Sequence, residues 1–297
     1  MPAFETPEPI SVILELEVGT AHITAGKRTD TVVEVLPRDG SDADDMRAVQ
    51  QTEVTCSGGR LTVKTHKKKR SLFGKSGAIE VSIELPAGSD VRGTSDMGSF
   101  RCEGRIGEAV FKTALGDLHV DEVTGANLKT DHGDIRLARS TGDIEVLGSG
   151  RIEIGTVAGT ATVKNGNGVT DVGEVTGGLK INAANGDISV RVAHGDVGAN
   201  CANGRIAIGV AHAGVDAKAT SGGIRVGDVT RGRIDLRTTV GDLEVGIHEG
   251  AAAWLDLTPK YGTVRNSLGS SAGPADSAET VQVYARTDAG DIIIHRA

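Results

Sequence analysis

His194 and His212 are the first residues to test for chemistry, because each closes a Val-Ala-His triplet and the two stand 18 residues apart. On neighbouring strands such a pair lies about 5 Å apart, within reach of a shared metal. Zinc needs three or four ligands, the spacing supplies no third, and no metal site is assigned. Asp117, Asp134, Asp143, Asp187, Asp196 and Asp242 each follow a glycine at similar spacing and could form a carboxylate row. Calcium-binding repeats carry Gly-Gly-x-Gly-x-Asp, which is absent, and Arg151 and Arg205 interrupt the row. These aspartates therefore read as turn formers. Carbohydrate-cleaving β-helices need gathered carboxylates in an aromatic-lined groove, whereas here the repeat disperses the acids. No phosphate-cradling loop or Cys/His pairing stands out. No catalytic or cofactor-binding residue is assigned.

Two groups remain. Residues 66–77 (HKKKRSLFGKSG) place Lys67, Lys68, Lys69, Arg70 and Lys75 around the apolar tip Leu72-Phe73. Such a loop suits an anionic membrane surface or an acidic partner, and Lys67, Lys68, Lys69, Arg70 and Phe73 are the candidate interaction residues. Asn167, Asn185 and Asn203 are also 18 apart. They are expected to stack as a structural ladder of side-chain amides.

The elements that would hold these residues follow from glycine. One ladder runs through Gly98, Gly116, Gly133, Gly150, Gly168, Gly186, Gly204, Gly222 and Gly241. A second runs through Gly107, Gly125, Gly142, Gly159, Gly177, Gly195, Gly214, Gly232 and Gly250, and every interval is 17, 18 or 19 residues. A fixed period of this size means one short unit stacked on copies of itself. After the glycines the chain alternates apolar and polar residues, as in GDIRL (133–137), GDISV (186–190) and GDLEV (241–245). That is the pattern of a strand with one buried face. Ile135, Ile152, Ile188, Ile206, Ile224 and Leu243 form one inward column. Leu137, Ile154, Val190, Ile208, Val226 and Val245 lie beside it, and Val163, Ile181, Ala199 and Ala217 line the other half-turn. Glycine at the corners permits positive φ. The fold class expected is all-β, a parallel β-solenoid (β-helix), right-handed, with 17–19 residues per coil. About eight coils at about 4.8 Å each give a rod on the order of 40 Å.

Three regions are expected: an N-terminal β-rich cap over 1–97, solenoid repeats over 98–250, and C-terminal coils and cap over 251–297 with a flexible loop at 266–279. Within the cap, residues 41–51 (SDADDMRAVQQ) read as one short helix, with acids in the first turn. Trp254 and Tyr261 are large enough to plug an end. The totals set bounds: 38% apolar and 24% charged residues are globular, a net charge of −8 argues against nucleic-acid binding, and 2% aromatics argue against stacking on bases or sugars. No 18-residue apolar run exists, residues 1–10 lack a signal-peptide pattern, and three widely spaced cysteines form no disulfide framework. A cytoplasmic location is expected.

The strand ending in a Pro-Ala-Gly turn (VSIELPAGSDV, 81–91), followed by Gly-Asp-apolar-x-apolar units, resembles a bacterial family of candidate adhesins with β-strand repeats, a domain of unknown function. The likeness covers nearly the whole chain and implies a solenoid without an established activity. A second similarity is to the bactofilins, cytoskeletal β-helices that polymerise end to end. The expected function is a non-enzymatic cytoplasmic scaffold or protein-interaction module, its protein partner unidentified. The alternatives are a self-assembling structural polymer and a carbohydrate-active β-helix enzyme.

Overall fold

The computed structural model describes residues 2–65, 76–269 and 279–297. The chain divides into two compact units, Met1–Ser149 and Gly150–Ala297. Each is a parallel β-solenoid in which a coil contributes one strand to each of two sheets. The one helix among the described residues is Ala43–Gln50, with Asp42 as its N-cap accepting from Asp44 N at 2.7 Å.

In the C-terminal unit, strand Ile188–Ala193 pairs in register with Ile206–Ala211, and Val197–Asn203 with Val215–Ser221, each residue meeting the one 18 places on. Ile152, Ile188, Ile206, Ile224 and Leu243 are at most 1% exposed, as Val163, Ile181, Ala199 and Ala217 are on the facing sheet. Thr170 occupies the isoleucine column between Ile152 and Ile188. Its hydroxyl accepts from the Asn165 side chain at 3.1 Å, so the core admits a polar group there only with a partner.

The two glycine ladders have different causes. Gly186 has φ +116°, and a Cβ there would stand 2.1 Å from the carbonyl oxygen of Gly168 one coil earlier. Gly177 has no positive φ but is as closely packed, with a Cβ meeting Gly159 O at 2.5 Å. Positive φ, expected at the corners generally, is thus needed mainly in the first ladder. In the second, Gly142, Gly177 and Gly195 have no positive φ, and backbone proximity excludes a side chain there.

In each unit one coil is out of chain order. In the N-terminal unit the long strand Ser11–Gly26 bends across both sheets. It lies between Arg60–Thr65 and Asp90–Met97 in one sheet, and between Ile79–Pro86 and Phe100–Arg105 in the other. Strand Ser11–Gly26 is therefore paired on both sides. Beyond it the sheets end in antiparallel strands, Thr52–Ser57 on Arg60–Thr65, and Ala3–Glu5 on Asp30–Pro37 on Ile79–Pro86. Leu61, Val63, Ile79, Val81 and Ile83 are at most 1% exposed beneath them.

In the C-terminal unit the last two strands, Thr280–Ala289 and Ile292–Arg296, insert between the coil of Gly232–Val240 and Leu243–Ile247 and the coil of Ala252–Tyr261 and Val264–Asn266. Pro259 supplies a reason. Lacking an N–H, it is confined to an edge strand, so the β-branched sequences of 280–296 take the two-sided place. Trp254 and Tyr261 do not plug this end: they are 52% and 70% exposed. Strand alternation turns Trp254 outward with Asp256 and leaves Ala253, Leu255 and Leu257 facing the core.

Candidate interaction surfaces

Of the expected features, the amide ladder lies on strand ends, and the aspartates and histidines lie at the corners between strands. Lys67, Lys68, Lys69, Arg70 and Phe73 lie outside the described residues. Next to the strand end at Thr65, an open cleft of about 510 Å³ is lined by residues that include Glu15, Glu17, Lys64, Asp96, Lys112 and Asp131. Lys64 Nζ sits 2.7 Å from Glu15, which raises the lysine's pKa.

Asn167, Asn185 and Asn203 occupy one position on successive coils, the side-chain amide of Asn185 donating to Asn167 Oδ1 and that of Asn203 to Asn185 Oδ1, both at 2.9 Å. A second row missed in the sequence runs beside it: Asn200 donates to Asn182 at 3.0 Å. These two are also 18 apart, so the same spacing test would have found them. The outer face of this sheet therefore carries two amide rows whose rotamers are fixed by each other.

A further row lies inside the corner. Thr113 and Thr130 hydroxyls donate to the carbonyls of Gly98 and Gly116, each at 2.9 Å. In the C-terminal unit Asn165, Cys201, Thr238 and Thr287 donate to Gly150, Gly186, Gly222 and Gly241. Each stands three residues before a glycine of the repeat, a signal legible in the sequence. The role of Cys201 is thus a corner contact, and burial pushes its thiol pKa up, as it does that of Cys102. All three cysteines are free.

The aspartates after glycine work between coils. Asp187 Oδ1 accepts from Arg205 N at 2.8 Å, Asp196 from Gly214 N at 2.9 Å and Asp242 from Asp291 N at 2.8 Å. Their carboxylates face the next coil's backbone. His194 and His212 stack with ring centroids 5.0 Å apart, and His194 Nε2 meets Glu174 Oε1 at 3.0 Å. Among the described residues no group of three or more His, Cys, Asp or Glu side chains is placed to hold a metal ion.

Near the terminal coil the outer face changes character. Arg233 lies over the Tyr284 ring at 4.1 Å, and Trp254 tilts against the same ring at 5.1 Å. Asp235, 8% exposed, accepts from Arg237 through two bonds of 2.9 Å and from Arg233 at 3.3 Å. Burial works to raise the Asp235 pKa, but the hydrogen bonds and charge of Arg237 and Arg233 outweigh it and hold the carboxyl below its ordinary value. The chain's one tryptophan and both tyrosines sit on these last strands, Tyr284 under Arg233 and Tyr261 beside Lys260.

Among the described residues no helix is long and apolar enough to cross a membrane. Residues 20–295 match the family described as Toastrack DUF4097. Among solved structures, the chain is similar to a candidate adhesin from Bacteroides fragilis at 14% identity, covering 99% of this chain and 95% of that one, with a TM-score of 0.24. It is similar to a candidate adhesin from Parabacteroides distasonis at 10% identity, covering 98% and 95%, with a TM-score of 0.29. A candidate lipid-binding protein from the same species shares 10% identity over 100% and 95%, with a TM-score of 0.27. No curated protein matches the chain.

Proposed function

This chain belongs to the Toastrack DUF4097 family, and from that premise we propose that it is a non-enzymatic β-solenoid scaffold whose outer sheet face binds a protein partner. The observation that carries this is the double amide row, Asn167–Asn185–Asn203 beside Asn182–Asn200. Side chains already held in one rotamer lose little entropy on binding, and amides carry both donors and acceptors for a partner's backbone or polar side chains. The aspartates after the repeat glycines, by contrast, are engaged in holding coils together, an arrangement suited to support rather than turnover.

The work is placed in the cytoplasm, a compartment in keeping with three free cysteines. Cell fractionation tests this, and a protein recovered only outside the cytoplasm would refute it. For the binding face, the test is in-cell photo-crosslinking from position 198, beside the rows, in the otherwise native chain and in an Asn182→Arg/Asn200→Arg variant. The native chain should yield a discrete protein adduct that the variant loses while keeping its melting temperature. The same adduct from both would refute the assignment of this face.

A further inference from the structure

The core of the C-terminal unit runs out into water at its terminal coil. Val281, Val283 and Ala285, in the penultimate coil, are 0% exposed, whereas their partners Ala253, Leu255 and Leu257 are all partly exposed. On the facing sheet Ile292 is 0% exposed and its partner Val264 is 42% exposed. Among the described residues, strands Ala252–Tyr261 and Val264–Asn266 each have one pairing neighbour, Thr280–Ala289 and Ile292–Arg296. An apolar core cross-section and two unpaired strand edges therefore coincide. Residues 270–278 read SSAGPADSA and hold no large apolar side chain that could cover them. The N-terminal unit shows no such opening, because antiparallel strands lie beyond its last parallel coil and the residues beneath are buried.

We propose that this open coil is closed by a second copy of the chain, head to head about a two-fold axis. Such an axis sets each free edge antiparallel to its own mate, the arrangement two-fold symmetry gives identical strands. The backbone pattern fits. Ala252 N donates to Glu279 O inside the unit at 2.9 Å, so Ala253, Leu255 and Leu257, an odd number of places on, turn their N–H and C=O groups to the free side. With the axis at Leu255, each Leu255 faces its mate, Ala253 faces Leu257, and Trp254 faces Asp256. Inward apolar residues thus meet apolar residues, and Asp256 does not meet Asp256. Pro259 has no N–H for the free side and limits the pairing to the stretch before it. Trp254, Tyr261 and Arg265 fall at the rim, in keeping with the enrichment of Trp, Tyr and Arg at interfaces.

Size predicts strength. Strand Ala252–Tyr261 has 10 residues, about 33 Å at about 3.3 Å each, and two sheets about 10 Å apart give an end face on the order of 330 Å² per copy. That is below the roughly 800 Å² per partner of a standard stable interface, so the pair should be concentration-dependent. This inference does not depend on which partner the amide face takes.

The test is the mass of the full chain by light scattering across concentration, with emission of the single tryptophan, Trp254, followed on dilution. The expected result is a shift between one and two chains, no larger species, and redder emission from the dilute sample. Leu255→Arg, at a half-buried position, should hold the protein at one chain throughout. Met97→Arg, on an apolar residue of the N-terminal unit that is 51% exposed, should behave as the unsubstituted protein. A native chain that stays single at every concentration overturns the proposal, as does an open-ended series of sizes. So does a dimer that forms with Trp254 emission unchanged, which remains decisive even where Leu255→Arg does not fold.

Discussion

At the scale of single residues, polar side chains work both across coils, as in the Asn167–Asn185–Asn203 row, and along one strand, as at Asp235. Asp235 illustrates the energetics. Its folded-state pKa is depressed by Arg237 and Arg233, so the stabilisation is present above the unfolded carboxylate value of about 3.9 and is lost as pH falls through the lower folded value. Asp235→Asn should flatten the acid limb of a stability–pH curve while leaving the neutral-pH melting point lower, and an unchanged acid limb would contradict the pairing. In the amide row, Asn185→Ala removes one bond donated and one accepted. Because the row is exposed, denaturant unfolding should show a loss of only about 1 kcal/mol. The aspartates after glycine were read as turn formers from the sequence. The structure adds their acceptors' partners, N–H groups on the next coil, which a reading of one turn at a time does not contain.

At the scale of strands and corners, alternation fixes which side chains point inward, and the period fixes which of them meet. Ile188→Asp places an unpaired charge between Thr170 and Ile206, and should cost at least about 3 kcal/mol or abolish folding. A variant with the native melting temperature would refute the register. Gly186→Ala combines φ +116° with a clash at 2.1 Å and should lower stability by about 2 kcal/mol or more. These columns were legible because local alternation and an 18-residue spacing are properties of the chain itself. The corner row of Thr113, Thr130, Asn165, Cys201, Thr238 and Thr287 was equally legible but is chemically mixed. Its common feature, a donor three residues before glycine, becomes meaningful only once the glycine carbonyl is seen to need one. Residues 67–73 keep their proposed role on composition alone. Replacing Lys67, Lys68 and Lys69 with Ala should weaken sedimentation with anionic vesicles at unchanged stability, and equal sedimentation would remove that role.

At the scale of the whole molecule, a strand near each end of the chain is built into the interior of a sheet. Strand Ser11–Gly26 and the pair Thr280–Ala289 and Ile292–Arg296 are each paired on two sides. Fraying at a terminus is therefore opposed by two ladders rather than one. Hydrogen exchange should show strong protection within 281–285, at least equal to that of 234–238, and more than at 253–257. Exchange that is fastest at 281–285 would contradict the insertion.

The amino-acid sequence by itself determined the solenoid, its period, its inward columns and the amide row, because each depends on residue type repeated at short, regular separation. Tertiary structure alone decided the order of coils at the ends. That outcome depends on competition between segments far apart in the chain for a two-sided place in the sheet. Pro259 excludes its strand from that place, and the penalty exists only when a second neighbour is there to be denied a hydrogen bond.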